Sequence, residues 1–255
     1  MIIMANHKVL SAEDSKDFVK TTSFYELCDI LKSLKTSKGR FVHVLGTPGT
    51  GKSANIYQAI SLLDINVYDA FLFIDIDSKP NEVYKIFWKT IKEDMGAKSK
   101  KEVYKKASEY NLVLFADPFL DSEYIDPHKV GLGLWTENNG PITFPFYFRI
   151  LYEYCKHYKY LKDVNVVTQT SWVLKFQGVR YDILTDFHLI SKILVFFLKL
   201  LFDVVVVSYS KEEMIKIVKA DYNFLSDEEI DIYIKKYGNR PRFIFEALEK
   251  EFKED

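Results

Sequence analysis

A glycine-rich stretch between two apolar runs limits what this chain can fold into more than any other feature. Residues 46–53 read GTPGTGKS and fit the spacing G-x-x-x-x-G-K-[ST] of a phosphate-binding loop. Residues 41–45 before it are apolar enough for a buried strand, and residues 52–63 repeat apolar side chains at helical spacing. The sequence therefore predicts a strand, a tight loop and a helix in direct succession.

Each residue type in this loop has a physical reason. Glycines let the backbone turn tightly with its N–H groups pointing inward, and the positive end of the following helix adds to the attraction for anions. Lys52 is predicted to reach the β- and γ-phosphates of a nucleotide, and Ser53 is predicted to ligate Mg²⁺. The predicted phosphate-contacting residues are Gly46, Thr47, Pro48, Gly49, Thr50, Gly51, Lys52, Ser53 and Ala54.

The composition limits the kinds of partner and location. The chain has 255 residues, 48% of them hydrophobic, and a net charge of −1, so its overall charge draws it neither to nucleic acid nor to a membrane. Cys28 and Cys155 lie far apart and the five histidines show no ligand spacing, which argues against a zinc site or a disulfide framework. The first residues lack the pattern of a signal peptide, and we expect a reducing, cytoplasmic setting.

The most apolar stretch of the chain, Phe187 to Val207, has the hydrophobicity of a membrane span. It carries Lys192, Lys199 and Asp203, however, and each of these charges is costly in the middle of a bilayer. We therefore expect no membrane span in this stretch, but a buried helix that leads into a buried strand.

Five apolar runs alternate with helical patterns along the chain. This alternation predicts an α/β fold, in which helices cover both faces of a parallel sheet with strands at residues 41–45, 70–76, 111–117, 164–170 and 204–208. With the strand before the phosphate loop in the centre, the predicted strand order is 5-1-4-3-2. Residues 118–145 hold four of the seven prolines, and we expect an irregular insertion there that covers or defines a site.

The chain is predicted to divide into two parts. Residues 1–209 are expected to form the nucleotide-binding α/β domain, and residues 210–255 a small helical lid. Three short amphipathic helices in the lid cannot bury their apolar faces alone, so we expect them to dock onto the sheet. A further predicted helix, within residues 22–40, either lies beside the nucleotide base or serves packing alone.

Two predicted strands end in an acid that could hold Mg²⁺ through water. Asp75 and Asp77 end the second strand, and Asp117 ends the third. An acid on the strand next in sequence after the loop helix is typical of kinases and GTPases, whereas one intervening strand is typical of the additional-strand ATPases. The five-strand order favours Asp117, with Asp75 as the alternative. Gln169, near the end of the fourth strand, is the predicted polar sensor between nucleotide and water.

The phosphate loop, Asp117, Gln169 and the tail segment Tyr237–Phe243 together resemble the AAA-like and STAND-like P-loop ATPases. The tail segment, YGNRPRF, is also similar to the tail of crinkler-type and retrotransposon-hot-spot ATPases. This resemblance implies ATP and Mg²⁺ as cofactors and a helical lid that closes over the nucleotide. It also implies that Arg242 reaches the γ-phosphate, with Arg240 as the second candidate, because the planar guanidinium binds phosphate with two hydrogen bonds.

The chain departs from these ATPases directly after the third strand. They usually place a glutamate after the third-strand aspartate to polarise the attacking water, whereas here Pro118 follows Asp117 and the nearest glutamate is Glu123. We therefore expect either slow hydrolysis, in which Asp117 or Glu123 polarises the attacking water, or a switch that is gated by nucleotide.

Two other functions remain open from the sequence. One is a kinase that transfers the γ-phosphate to a small molecule or nucleotide held by Asp75 and Asp77, although the chain offers only Arg149 and Arg180 between strands three and five. The other is a nucleic-acid-handling ATPase that uses the basic stretch 98–106, which the near-zero net charge does not favour. An unidentified protein partner also stays open, and Arg180 is the candidate arginine for a neighbouring subunit's site.

Overall fold

The computed structural model describes residues 18–69, 80–115, 133–136, 144–176 and 179–252. The helices in these ranges are α1 (Thr22–Ser33), α2 (Lys52–Leu63), α3 (Pro80–Asp94), α4 (Lys100–Glu109), α5 (Phe144–Leu161), α6 (His188–Leu201), α7 (Lys211–Asp221), α8 (Asp227–Tyr237) and α9 (Pro241–Phe252). The strands are β1 (Phe41–Leu45), β2 (Val67–Asp69), β3 (Val113–Phe115), β4 (Gly133–Thr136), β5 (Val166–Thr170), β6 (Val173–Phe176), β7 (Val179–Asp182) and β8 (Asp203–Val206).

A five-stranded sheet forms the centre of the fold. Its order is β2-β3-β5-β1-β8, and every neighbouring pair of strands is parallel. Numbered along the chain, these strands run 2-3-4-1-5 across the sheet, so the predicted order 5-1-4-3-2 is confirmed. Leu45 of β1 lies between Thr170 of β5 and Val206 of β8. The segments that follow these three strands therefore start side by side at one edge of the sheet.

The strand boundaries differ from the prediction mainly at the second strand. β2 begins at Val67, where it pairs with Val113 of β3, and the predicted strand at residues 70–76 lies outside the described residues. β5 and β8 begin at Val166 and Asp203, within two residues of their predicted starts. The apolar patterns thus located these strands well, because each strand contains a short run of apolar side chains with buried positions.

A smaller sheet of three strands has no counterpart in the sequence prediction. β6 and β7 form an antiparallel hairpin directly after β5, with Val173 opposite Asp182, and β4 pairs with β6 in parallel. β4 lies inside the segment predicted to be irregular, so that prediction is wrong for residues 133–136. All three strands are only four residues long, and β6 and β7 mix apolar with charged residues, which leaves no clear period in the sequence.

The helices of the tail share the main core of the molecule. The apolar face of each of them is buried together with strands β1 and β8 in one cluster, which includes Val42, Val205, Met214, Val218, Ile230, Ile244 and Leu248. The predicted docking of these helices is confirmed. The division of the chain at residue 209 stays a prediction, because a shared core does not by itself separate two parts.

The prediction of a buried helix is wrong for α6, because one side of this helix is exposed. Its inner side, with Leu194, Val195 and Leu198, packs on the small cluster of Leu45, Leu184 and Val204. Its outer side carries large apolar residues that are 48% to 76% exposed, namely Leu189, Ile190, Ile193, Phe196, Phe197, Leu200 and Leu201. Apolar residues lie on more than one side of the helix, and among the described residues it packs beside the edge strand β8, but hydropathy cannot show which sides of such a helix are covered. Among the described residues, no helix is long and apolar enough to cross a membrane.

The exposure of α6 predicts a contrast between two substitutions. Leu27→Ala, in the core face of α1, should lower the free energy of unfolding by about 2–5 kcal/mol, because it removes fully buried methyl groups. Phe196→Ser should change it by less than about 0.5 kcal/mol, because that ring already faces solvent. Denaturant unfolding measures both values. A large loss for Phe196→Ser would show that the outer side of α6 is covered in the isolated chain.

Candidate functional site

The phosphate loop leaves β1 at Leu45 and enters α2 at Lys52, in the middle of the carboxyl edge of the sheet. Gly49 and Gly51 have φ angles of 90° and 76°, in the left-handed region that favours glycine. At Gly46, a side chain would approach the Thr50 Oγ1 atom to 2.6 Å. Gly51 is the N-cap of α2 and offers no side chain to cap the helix, so the first-turn amides can serve a ligand.

Lys52 lies folded back over the loop. Only 6% of its surface is exposed, and its Nζ atom donates to the carbonyl oxygens of Gly46 at 2.8 Å and Thr47 at 3.4 Å. An ammonium group in this place lies over the region that phosphate oxygens take in such loops. Binding of a triphosphate would exchange these carbonyl partners for charged oxygen atoms.

Gln169 meets Ser53 across the edge of the sheet. Its Nε2 atom donates to the Oγ atom of Ser53 at 2.7 Å, and the glutamine is buried. Its Oε1 atom has no hydrogen-bond partner within the residues that the structure describes. The geometry therefore brings together the predicted sensor and the predicted metal ligand, although their roles stay predictions.

The candidate acids of the sequence analysis cannot be placed. Asp75, Asp77, Asp117 and Glu123 lie outside the described residues, as does Pro118. The strands that lead toward them are described, however. β3, which leads to Asp117, is separated from β1 only by β5, whereas β2 lies one strand farther away.

The turn that begins α9 lies against the phosphate loop. The backbone N–H of Arg242 donates to the carbonyl oxygen of Gly49 at 3.2 Å, and the Phe243 ring would lie 3.4 Å from a Cβ atom at Gly49. The Arg242 side chain is exposed, whereas the Arg240 guanidinium pairs with Asp186 at 3.2 Å. Both predicted tail arginines therefore lie near the loop, but Arg240 is engaged by a carboxylate of the protein itself.

A cleft of about 780 Å³ opens beside the loop. The loop and α2 form one wall of it, α7 and α9 form another, and the segment before α1 closes the end. Most of its lining side chains are apolar or aromatic, and they include Phe18, Val19, Tyr222, Phe224, Phe245 and Phe252. Phe18 and Val19 precede α1, so the predicted helix itself does not line this cleft; the residues directly before it do.

Two buried polar groups near the loop were missed by the sequence prediction. Tyr209 follows β8 and donates its hydroxyl to the Thr50 carbonyl oxygen at 2.6 Å. Asp182 ends β7, and its Oδ1 atom accepts from the backbone N–H groups of Trp172 and Leu184 at 2.9 and 3.0 Å. The sequence signal for Tyr209 is its position directly after the predicted fifth strand, whereas Asp182 ends a strand that the sequence did not predict.

The Asp182 carboxyl group lies in an unusual environment. Its side chain is fully buried, and its Oδ2 atom has no hydrogen-bond partner among the described residues. Burial raises the pKa of this carboxyl, whereas the two backbone N–H groups and the nearby Lys52 ammonium act against that rise. The Asp182 N–H also donates to Asp186, the carboxylate that pairs with Arg240, so this hairpin end connects the tail with the loop region.

The basic stretch 98–106 is engaged within the fold at two of its five lysines. Lys106 donates to the carbonyl oxygens of Met95 and Gly96 at 2.8 and 2.9 Å, and Lys100 pairs with Glu153 at 2.6 Å. Lys105 pairs with Glu109 on the same helix. Lys98, Lys101 and Lys105 stay exposed, and a binding role for this stretch remains a prediction.

No protein-family model matches the chain, and no curated protein matches it. Among solved structures, it is similar to the Walker-type ATPase PABY2304 of Pyrococcus abyssi, with a TM-score of 0.47 and 13% identity over 89% of this chain and 65% of that chain. It is similar to Cdc6p from Pyrobaculum aerophilum, with a TM-score of 0.49 and 13% identity over 93% of this chain and 62% of that one.

A third similar structure is the replication initiator DnaA bound to AMPPCP and single-stranded DNA, with a TM-score of 0.41 and 16% identity over 89% of this chain and 59% of that one. The chain thus spans between 59% and 65% of the length of these three proteins. Likeness at 13% to 16% identity carries no conclusion about what this chain binds or does.

Proposed function

We propose that this chain is a P-loop ATPase, or a nucleotide-gated switch of the AAA/STAND kind, that binds ATP with Mg²⁺. The observation that carries the proposal is the loop itself, with its left-handed glycines, placed between a central buried strand and the open N-terminus of α2. Lys52 and Ser53 begin that helix, where the charge and the hydroxyl meet the phosphates and the metal.

The cleft beside the loop suits the base of the nucleotide. It borders Gly51, Ala54 and Asn55, so a base in the cleft would have its phosphates at the loop. Its aromatic and apolar lining can stack on a flat ring, which is how many small-molecule sites hold their ligands. Adenine is the base that we propose, in line with the resemblance of the loop and tail to ATPases.

Ser53 and Asp117 are the residues that would hold Mg²⁺, with Asp75 as the alternative acid. The donor set is made of hydroxyl and carboxylate oxygens, which suits this hard cation. Gln169 donates to the Ser53 hydroxyl and so orients it. When bound, the metal would neutralise charge on the phosphates, and Lys52 would do the same from the loop.

The strand order supports an ATPase over a kinase. β5 lies between β1 and β3, so the chain carries the extra strand of the additional-strand group, and the strand next in sequence after α2 is not the neighbour of β1. Pro118, and not a glutamate, follows Asp117, so the residue that usually polarises the attacking water is missing there. This supports slow hydrolysis of ATP. We also propose a cytoplasmic setting for the protein.

The first prediction for this function concerns Lys52. Lys52→Ala should weaken binding of Mg²⁺·ATP by at least about tenfold, or about 1.4 kcal/mol, because it removes the positive charge that meets the phosphates. Titration calorimetry measures the affinity. Lys32→Ala, at an exposed lysine of α1, is the matched control and should bind ATP like the unchanged chain. Equal affinities for both variants would remove the proposed function.

Turnover measured with ATP alone, and then with candidate acceptors, distinguishes ATP hydrolysis from transfer of the γ-phosphate to an acceptor. Release of free phosphate without any acceptor supports the ATPase, even if it is slow. Transfer of phosphate to an added small molecule or nucleotide, with no release in its absence, would replace the ATPase by the kinase.

The second prediction ranks the two metal acids. Asp117→Ala should reduce Mg²⁺-dependent nucleotide binding or turnover more than Asp75→Ala, because the strand leading to Asp117 lies closer to the loop strand. Binding measured with and without Mg²⁺ shows which variant loses the metal contribution. The opposite ranking would assign the metal to Asp75 and favour the kinase.

The third prediction concerns the tail arginines. Arg242→Ala should abolish the preference for ATP over ADP while the fold is kept, because the exposed Arg242 side chain starts beside Gly49 and can reach a γ-phosphate. Affinities for the two nucleotides and circular dichroism test this. Arg240→Ala is the matched comparison and should keep most of the preference, because Arg240 pairs with Asp186. If only Arg240→Ala loses the preference for ATP over ADP, Arg240 and not Arg242 is the arginine that reaches the γ-phosphate.

A further inference from the structure

The carbonyl oxygens of three successive loop residues are held by groups from outside the loop. The Gly49 oxygen accepts from the Arg242 N–H at 3.2 Å, and the Thr50 oxygen accepts from the Tyr209 hydroxyl at 2.6 Å. The Gly51 oxygen accepts from the side-chain amide of Asn55 at 2.8 Å. A peptide unit is planar and trans, so a carbonyl held on one side points the N–H of the next residue to the opposite side.

Tyr209 is at the centre of this arrangement. Its hydroxyl both donates to Thr50 and accepts from the Asn55 Nδ2 atom at 3.0 Å. The residue is buried, and burial raises the pKa of its hydroxyl to about 12, so the proton that it donates stays in place at neutral pH.

The backbone of Tyr209 contacts the tail at the same point. Its carbonyl oxygen accepts from the side-chain amide of Asn239 at 2.7 Å, and Asn239 belongs to the turn between α8 and α9. That turn leads to Arg242, whose N–H holds the neighbouring loop carbonyl. One residue thus contacts the loop, the first helix after it and the turn that presents the tail arginines.

We propose that Tyr209 is a positioning residue that orients the phosphate loop for a triphosphate and ties the loop to the turn before α9. It acts through the Thr50 carbonyl, which directs the N–H of Gly51 toward the phosphate, and through Asn239, which keeps Arg242 beside the loop. The inference rests on the proposed nucleotide function and adds to it the residue that couples phosphate binding to the tail.

Tyr209→Phe is the direct test, because it removes the hydroxyl and keeps the ring that fills the core. Binding of mant-labelled ATP and ADP with Mg²⁺ should show an ATP affinity about threefold to tenfold weaker, because the Thr50 carbonyl oxygen loses the donor that holds it, and a smaller loss for ADP. Tyr233→Phe is the matched control, because that hydroxyl contacts only Glu251 among the hydrogen bonds described, within the tail. It should leave both affinities unchanged.

A double-variant cycle tests the tie between the loop and the tail, and it uses Asn239→Ala because Tyr209→Phe keeps the backbone carbonyl oxygen that Asn239 contacts. If that contact keeps Arg242 beside the loop, Arg242→Ala should weaken ATP binding less in the Asn239→Ala background than in the unchanged chain. Independent, multiplicative losses would overturn the tie to the tail. If Tyr209→Phe fails to fold, Asn239→Ala in the exposed turn takes its place and should also reduce the preference for ATP over ADP.

The outcomes distinguish this inference from the function on which it rests. If Lys52→Ala keeps its affinity for ATP, the nucleotide function itself fails. If Lys52→Ala loses affinity while Tyr209→Phe binds ATP like the unchanged chain, the function stands and the positioning role of Tyr209 is wrong.

Discussion

The carbonyl oxygens of Gly49, Thr50 and Gly51 accept hydrogen bonds from α9, from the residue after β8 and from α2. These three donors come from parts of the chain that are up to about 190 residues apart, and each of them orients one peptide of the phosphate loop. The glycines make the loop shape accessible, but a flexible backbone has many other shapes. The shape seen here depends on the tertiary structure around it, and so does every contact that a phosphate could make.

The strand order determines which side chains reach this loop. Because β5 lies directly beside β1, Gln169 can donate to Ser53, and Ser171, just beyond β5, donates to the Gly46 carbonyl oxygen at 2.8 Å. The hairpin that follows β5 then returns Asp182 to the same region, and Asp186 beyond it holds Arg240 of the tail. Strand β5 therefore supplies Gln169, the polar neighbour of Ser53, and the hairpin after β5 leads to Asp186, which connects this region to the tail.

The sequence predicted the fold best where a run of apolar residues or the loop motif left few alternatives. The strands β1, β5 and β8 are apolar runs with clear limits, and the loop motif defines the edge at which they end. With the strand before the loop placed in the centre, the predicted strand order agrees with the structure. The tail helices were expected to dock because their apolar stripes need a partner, and they share the core of β1. The exposed side of α6 and the small sheet were not predicted, because hydropathy does not record which neighbour covers a surface and four-residue strands show no period.

The sequence by itself determined the position of the loop motif, since residue types such as Gly51, Lys52 and Ser53 at fixed spacing are a local property that survives in any correct fold. It also determined the α/β alternation, which follows from the period of apolar side chains. Only the tertiary structure decided that Tyr209 contacts the loop and Asn239, that Arg240 pairs with Asp186, and that Arg242 remains exposed beside the loop. Those contacts join residues distant in the chain, and their geometry depends on how the sheet, the hairpin and the tail pack together.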